Sequence, residues 1–394
     1  MLAAIRRLPR TVWLLGLISL VNDSASDMIY PLVPLYLTSV LMAGPKALGL
    51  IEGIAEAMAS LLKLAAGVLA DRSRKTKSWV VAGYAIAGIA RPMIAFASSW
   101  FGVLVCRFAD RIGKGLRSAP RDAMLMHSVA PDQRGLAFGL HRAMDNAGAV
   151  VGPLAAAALL ALGMPLRHVL FAAIVPAVIV LLLALAIREP QVERSPNPPR
   201  FSWNLREFPP RFRRYLIVLA LFMLGNSSNM FLLLRAKELG LGEAQVPMIW
   251  ALVSLVAALL STPLSGLSDR FDRRKLIAGG WTIYAALYMA FGLMPAMTWL
   301  LWPMFAAYGV FLAATEGAEK ALVADMVPRA QAGTAFGWYN LVVGLALLPA
   351  SLLFGWLWSE ASPPIAFAFG SACALAAALL LRFWVGAGEP APNA

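Results

Sequence analysis

GVLADRSRK at 67–75 and GLSDRFDRRK at 266–275 each close a long apolar segment with an aspartate–arginine pair. The two aspartates are 198 residues apart in a chain of 394. The same offset joins GLAFG at 135–139 to GTAFG at 333–337. Two independent matches at one offset are not expected by chance, so the sequence predicts an internal repeat of two similar halves.

The composition indicates that lipid surrounds most of the chain. Hydrophobic residues make up 60% of the sequence, charged residues 14%, and the mean hydropathy is +0.71. A soluble protein needs a more polar exterior. Apolar segments long enough to cross a bilayer are predicted at 12–38, 47–69, 79–98, 101–126, 135–161, 166–187, 215–235, 246–267, 276–297, 300–326, 335–358 and 363–385.

The net charge of +13 reflects membrane topology. Basic clusters follow alternate segments, whereas the intervening loops carry few positive charges, which is the positive-inside pattern. The clusters are Arg6, Arg7, Arg10; Arg72, Arg74, Lys75, Lys77; Arg194, Arg200, Arg206, Arg211, Arg213, Arg214; and Arg270, Arg273, Arg274, Lys275. Both termini are therefore expected in the cytoplasm. Nucleic-acid binding is not expected, since these charges suit anionic lipid headgroups.

The segments and charges predict an all-α membrane protein of twelve transmembrane helices in two pseudo-symmetric six-helix bundles. The first bundle is expected over 1–188 and the second over 215–394. A proline-rich and charged cytoplasmic linker is predicted over 189–214. We expect a multi-pass protein of the cytoplasmic, or inner, membrane that works as a monomer.

The loop motifs resemble those of the major facilitator superfamily. Gly67, Asp71 and Arg72 match the superfamily's cytoplasmic motif between helices two and three, and Asp269 and Arg270 repeat it in the second half. Arg74 stands where that motif usually has glycine. The resemblance covers essentially the whole chain and implies a solute transporter. The recurrence of the pair favours a conformational latch over an ordinary solvated turn.

The fifth segment resembles the superfamily's drug/proton-antiporter branch. Gly139, Gly148, Gly152 and Pro153 reproduce the spacing of its helix-five motif, and Asp145 lies among them. The motif's final glycine pair is replaced by alanines. Glycines four apart also let a neighbouring helix approach closely, so a tight packing seam is an alternative interpretation.

The fourth segment carries a stripe of charges. At about 100° per residue, seven ionisable side chains fall within roughly 140° of the helix surface and extend over about 21 Å. They are Arg107, Asp110, Arg111, Lys114, Arg117, Arg121 and Asp122. Each ionisable group costs about 2.5–3.5 kcal/mol or more to insert in a membrane. The stripe is therefore expected to face a polar cavity or partner carboxylates, although the inner arginines could also extend to the headgroups.

Carboxylates for this stripe are available on the first segment. Asp23 and Asp27 share one helix face at i, i+4 spacing, and Asp23 lies near mid-membrane. Our hypothesis is that one of them exchanges a proton as its pairing with Arg107, Arg111 or Lys114 changes. The reason is that a buried carboxylate that loses its cationic partner is easier to protonate. Arg107 also resembles the arginine that the superfamily's helix-four motif links to proton coupling.

The second half supplies fewer charges. Under the 198-residue offset, Arg121–Asp122 corresponds to Glu319–Lys320, with the signs reversed. We therefore predict that these two pairs meet at the cytoplasmic mouth and form a gate; bridging within each helix is the alternative. The remaining polar candidates are Asn226 and Asn229 in segment seven and Glu316 in segment ten.

These features predict secondary active transport of a small polar or charged solute, with export by proton antiport favoured. The alternatives are proton-driven uptake of an anionic solute such as a carboxylate or siderophore-like metal chelate, metal-cation export through Asp23, Asp27 and Glu56, or a non-transporting sensor or scaffold. No GxxxxGK[ST], HExxH or GxSxG motif is present, so an ATPase, a metalloprotease or a hydrolase is not expected. We expect no cofactor and no bound metal, because the proton gradient supplies the energy.

Overall fold

A computed structural model describes residues 8–72, 76–129, 134–187, 204–268, 271–327 and 332–385. Within these ranges the chain is helical and contains no strand. The helices are α1 (Arg10–Val40), α2 (Pro45–Arg72), α3 (Thr76–Met93), α4 (Trp100–His127), α5 (Arg134–Ala161), α6 (Leu166–Leu185), α7 (Pro210–Glu238), α8 (Gln245–Ser268), α9 (Arg273–Leu293), α10 (Thr298–Met326), α11 (Ala332–Glu360) and α12 (Pro363–Phe383). The twelve predicted segments are confirmed.

Nine of the described helices are long and apolar enough to cross a membrane by length and composition alone. The charged helix α4 does not meet that criterion, and α8 contributes a shorter apolar stretch, Gln245–Ser261. The 28 residues of α4 still give a helix of about 42 Å at 1.5 Å per residue. Its length therefore suits a membrane span even though its composition does not.

The helices of the two halves pack in the same pattern. In the first half, α1 packs against α5 and α6, while α3 packs against α4 and α6. In the second half, α7 packs against α11 and α12, while α9 packs against α10 and α12. Every pair in the first set corresponds to a pair six helices later. The repeat predicted from the loop motifs is therefore present in the packing.

The chain divides into two compact units. One comprises Met1–Met42, Met58–Pro198 and Gly242–Ser254, and the other Ala43–Ala57, Pro199–Leu241 and Leu255–Ala394. Each unit thus includes the first part of a helix, α2 or α8, from the opposite half of the sequence. The predicted boundaries at 188 and 215 remain a prediction.

Two helices are interrupted. In α1, the α-helix Arg10–Ile29 stops before Pro31, resumes over Leu32–Leu35 and ends in a π-helical turn, Tyr36–Val40. The interruption lies at this proline, which lacks the N–H that continues a helix. In α7, residues 226–229 separate two helical pieces. By contrast, α5 runs without interruption through Pro153.

Candidate functional site

Three arginines surround one carboxylate at the interface of α3 and α4. Asp110 Oδ1 lies 2.9 Å from Arg91 Nε, and Asp110 Oδ2 lies 3.4 Å from Arg111 Nη1 and 3.7 Å from Arg107 Nη1. The four residues are between 1% and 4% exposed. We call Arg91, Arg107, Asp110 and Arg111 the arginine cluster.

Close helix packing positions the arginine cluster. A Cβ atom on Gly83 of α3 would lie 2.6 Å from the carbonyl oxygen of Gly113 on α4, so the two backbones touch there. Arg91 then reaches across to Asp110, and its Nη1 also donates to Asn22 O at 3.1 Å and Asn22 Oδ1 at 2.9 Å. The cluster thereby connects α3 and α4 to α1.

The carboxylate in the arginine cluster is not the one expected from the sequence. Asp23 or Asp27 was expected opposite Arg107 and Arg111, whereas the structure places Asp110 of the same helix between them. The i, i+3 spacing brings Asp110 over Arg107 within α4. Arg91, from α3, was not among the predicted site residues; its position inside an apolar segment was the signal that could have identified it.

Asp23 and Asp27 lie on the same face of α1, as predicted, and both side chains are partly accessible. Asn22 Nδ2 donates to Asp23 Oδ1 at 2.8 Å. Among the described residues, neither carboxylate lies within the 4.0 Å of a basic nitrogen that defines an ion pair. Asp23 is nevertheless close enough to Lys114 and Asp145 to interact with them electrostatically. These two acids are thus placed near, but not in contact with, the charged face of α4.

Aromatic rings accompany the arginines of α4. The Arg107 guanidinium carbon lies 5.9 Å from the ring centroid of Tyr30, and that of Arg117 lies 4.7 Å from Tyr84. These are cation–π distances. Trp250 in turn packs on Tyr30 with 5.2 Å between the ring centroids. The N-terminal and C-terminal parts of the charged stripe therefore each have an aromatic neighbour.

A second polar group lies nearer the C-terminal end of α4. Ser19 on α1 donates to Asp145 on α5, and His141 Nδ1 lies 3.5 Å from Asp145 Oδ2. Arg121 Nη1 contacts Ser19 Oγ at 3.4 Å, and Arg121 Nη2 pairs with Asp122 at 2.9 Å. Asp145, which we counted with the helix-five motif, thus joins α1 to α5.

The glycines of the helix-five motif form the contact between α1 and α5. A Cβ on Gly148 would overlap Leu20 O and lie 3.1 Å from Asp23 Cβ, while one on Gly152 would overlap Ser24 O. No side chain fits at either position. The packing-seam interpretation is therefore supported, and the seam lies directly behind Asp23.

The interruption of α7 presents polar groups to α9 and α10. Tyr284 Oη donates to Asn226 Oδ1 at 3.2 Å, and Tyr308 Oη donates to Asn229 Oδ1 at 2.5 Å. The asparagines were predicted site residues, but the tyrosines were not. Nothing in the local sequence distinguishes these tyrosines from others in apolar helices.

Glu319 is buried within its own unit. At 8% exposure it accepts hydrogen bonds from Trp281 Nε1 at 2.9 Å and from Tyr339 Oη at 2.8 Å. Lys320 pairs with Glu316 of the same helix at 3.0 Å. The predicted gate between this region and Arg121–Asp122 involves both units and remains a prediction.

Several predicted residues lie outside the described part of the chain. Asp269 and Arg270 are among them. For Gly67, Asp71, Arg72 and Gly139, the structure gives only the helix that contains them, α2 or α5. The latch function of the loop motifs remains a prediction.

The described residues contain no candidate metal site. No group of three or more histidine, cysteine, aspartate or glutamate side chains is close enough there to hold an ion. Asp23 and Asp27 lie beside arginine and lysine rather than in an all-oxygen environment, which is unlike the sites that Ca²⁺ or Mg²⁺ prefer.

Ionisable side chains buried between membrane helices mark substrate or ion pathways, and an internal six-helix repeat is typical of secondary transporters. The sequence matches the Major Facilitator Superfamily over residues 15–234 and 215–394. The chain is 33% identical over 385 residues, and 96% of each chain, to an uncharacterized MFS-type transporter of Methanocaldococcus jannaschii. The protein therefore belongs to the Major Facilitator Superfamily, whose members are transporters and not enzymes.

More distant similarities agree with this assignment. The multidrug resistance protein MdtH of Salmonella arizonae is 24% identical over 334 residues, covering 84% of this chain and 81% of that one. The nucleoside transporter NupG has the same fold, with a TM-score of 0.80 at 13% identity over 95% of this chain and 99% of its own. The protein is thus a multi-pass membrane transporter of small-molecule solutes.

Proposed function

We propose that the protein exports a small polar or charged solute across the cytoplasmic membrane in exchange for protons. The observation that carries the proposal is the pair Asp23 and Asp27, two partly accessible carboxylates on one face of α1 that form no ion pair with any described residue. Such groups can exchange protons with water that enters from one side of the membrane at a time.

The arginine cluster and the two carboxylates of α1 have different functions. Asp110 is enclosed by Arg91, Arg107 and Arg111 and is 1% exposed, so it serves as a fixed counter-charge that holds α3 and α4 together. Asp23 and Asp27 remain available for the proton. Lys114, beside both of them, is the cation whose approach or withdrawal would favour loss or uptake of that proton.

Export is favoured for two reasons. The MdtH relative is named as a multidrug resistance protein. In addition, the glycines that resemble the antiporter motif hold α5 directly against the turn of α1 that carries Asp23. A change in the helix packing at this seam would therefore displace the proton-binding carboxylate.

The proposal includes the remaining functional expectations. The protein needs no cofactor, acts as a monomer, and has both termini in the cytoplasm. Its halves, 1–188 and 215–394, alternate access to the solute while the proton gradient supplies the energy.

The test begins with a thermal-shift screen of the purified protein against carboxylates, siderophore-like chelates, sugars and cationic drugs. Any stabilising compound is then assayed in right-side-out and inverted vesicles under an imposed proton gradient. The proposal predicts accumulation in inverted vesicles with an acidic interior and alkalinisation of that interior during transport.

Two results would contradict the proposal. Accumulation only in right-side-out vesicles would support the alternative of anionic-solute uptake. Transport that persists unchanged when a protonophore collapses the gradient would remove the proton from the mechanism.

A further inference from the structure

A groove of about 650 Å³ lies between the start of α7 and α11. Its volume is within the range of about 300–1,000 Å³ that small-molecule sites occupy. Its lining includes the basic side chains Arg213 and Arg214 and the apolar side chains Ile217, Ala220, Trp338 and Val342. All of them belong to one of the two compact units.

The groove changes from basic to apolar along α7. Arg213, Ile217 and Ala220 recur at i, i+4 and i+7, so they share one helix face. At 1.5 Å per residue, about 10 Å of helix separates Arg213 from Ala220. Ile217 is 59% exposed, as expected for a residue that faces acyl chains. The groove thus has a charged end at the membrane surface and an apolar end inside the bilayer.

The charged end carries an unused donor. The Nε atom of Arg213 is buried and has no hydrogen-bond partner among the described residues. Two guanidinium groups beside the first turn of α7, whose helix dipole adds positive potential there, suit a phosphate group. Trp338 provides an aromatic ring of the type found at the membrane–water interface.

We propose that this groove binds one anionic phospholipid of the cytoplasmic leaflet. Its phosphate accepts hydrogen bonds from Arg213 and Arg214, and one acyl chain lies along Ile217, Ala220 and Val342. A membrane lipid is the occupant because the apolar end faces the acyl region, and the basic end selects a negative headgroup over a zwitterionic one.

A second groove in the other unit provides a comparison. It lies between α3 and α6, has a volume of about 220 Å³, and is lined by Tyr84, Met93, Phe171, Val178 and other apolar side chains. Among its described lining residues there is no lysine or arginine. It can accept an acyl chain but offers nothing to distinguish one headgroup from another.

The experiment measures lipid binding to the purified full-length protein by native mass spectrometry, with phosphatidylglycerol and phosphatidylcholine titrated separately. We expect phosphatidylglycerol to bind more tightly, and Arg213→Gln/Arg214→Gln to weaken it about thirty-fold, since each basic residue at the surface contributes close to a factor of five. Lys275→Gln/Arg382→Gln removes the same charge from helix ends outside the groove and should leave binding unchanged.

Filling the apolar end separates a lipid from a free phosphate. Ala220→Phe should weaken phosphatidylglycerol binding, whereas Val178→Phe in the second groove should not. Equal affinity for the two lipids, or unchanged affinity in the Arg213/Arg214 variant, would overturn the proposal. Competition by millimolar inorganic phosphate together with no effect of Ala220→Phe would assign the groove to phosphate and also overturn it.

Discussion

Replacing Asp110 with asparagine tests the arginine cluster directly. The substitution keeps the size of the side chain but removes the negative charge that Arg91, Arg107 and Arg111 approach at 2.9, 3.7 and 3.4 Å. All four groups are at most 4% exposed, so water cannot replace the lost charge. The variant therefore leaves three guanidinium groups around a neutral amide.

The magnitude follows from these distances and from burial. At an effective dielectric constant of about 20, one pair at about 4 Å gains roughly 4 kcal/mol of Coulomb energy, but desolvation of both ions offsets much of that gain. Breaking a buried pair by removing one partner costs about 3–5 kcal/mol. We therefore expect Asp110→Asn to lower the free energy of unfolding by at least about 3 kcal/mol.

Equilibrium unfolding in mixed detergent micelles, followed by circular dichroism, measures this change. The matched control is Asp122→Asn, since Asp122 also pairs with an arginine of α4 but has a side chain that is 51% exposed. An exposed pair contributes about 0–1 kcal/mol. Adding Arg107→Gln to Asp110→Asn should restore part of the loss, because one uncompensated charge is removed. Equal stability of Asp110→Asn and Asp122→Asn would refute the structural assignment.

Three further experiments test helix packing, alternating access and a helix cap. Gly152→Ala should destabilise the contact between α1 and α5, because its Cβ would lie 2.7 Å from the backbone nitrogen of Met28. The control Gly279→Ala, with open space around it, should be neutral. Equal melting temperatures of the two variants would contradict the packing seam. Lys46 and Glu360 form an ion pair, so cysteines at these positions should be bridged by a short bis-methanethiosulfonate reagent, which spans a longer distance than a disulfide. The bridge should stop transport until it is reduced; transport in the bridged protein would contradict alternating access. Asp272→Ala removes the side-chain cap of α9 and should cost about 1 kcal/mol of unfolding free energy at neutral pH. Burial raises the pKa of Asp272, but hydrogen bonds from Arg274 lower the pKa overall. The stability cost of Asp272→Ala should therefore shrink as the pH falls below about 4 and the carboxylate becomes protonated. A stability cost that does not change with pH would contradict the cap.

The helices could be predicted from the sequence because hydropathy and basic clusters determine where a chain crosses a membrane. Their ends were less certain. Segment seven was expected over 215–235 but forms α7 over Pro210–Glu238. Arg211, Arg213 and Arg214 were assigned to the linker on account of their charge, yet the first turns of a membrane helix can extend beyond the hydrocarbon, where charge is tolerated.

The partners of charged residues could not be predicted, because they depend on how helices cross. The stripe on α4 followed from its periodicity, but its contact with Arg91 requires the backbone approach at Gly83 and Gly113. Likewise, Glu319 was expected at a gate, and its hydrogen bonds to Trp281 and Tyr339 join residues from three helices. Sequence periodicity places a side chain on a face without identifying the neighbouring helix.

Comparing two transport modes in the same proteoliposomes shows whether Asp23 and Asp27 carry the transported proton. Gradient-driven accumulation requires the carboxylate to gain and lose a proton, whereas counterflow of labelled against unlabelled solute does not. We predict that at least one of Asp23→Asn and Asp27→Asn abolishes accumulation but retains counterflow. The control Asp325→Asn, at an exposed ion pair with Arg273 outside the predicted site, should keep both. Full gradient-driven accumulation in both variants would contradict the account.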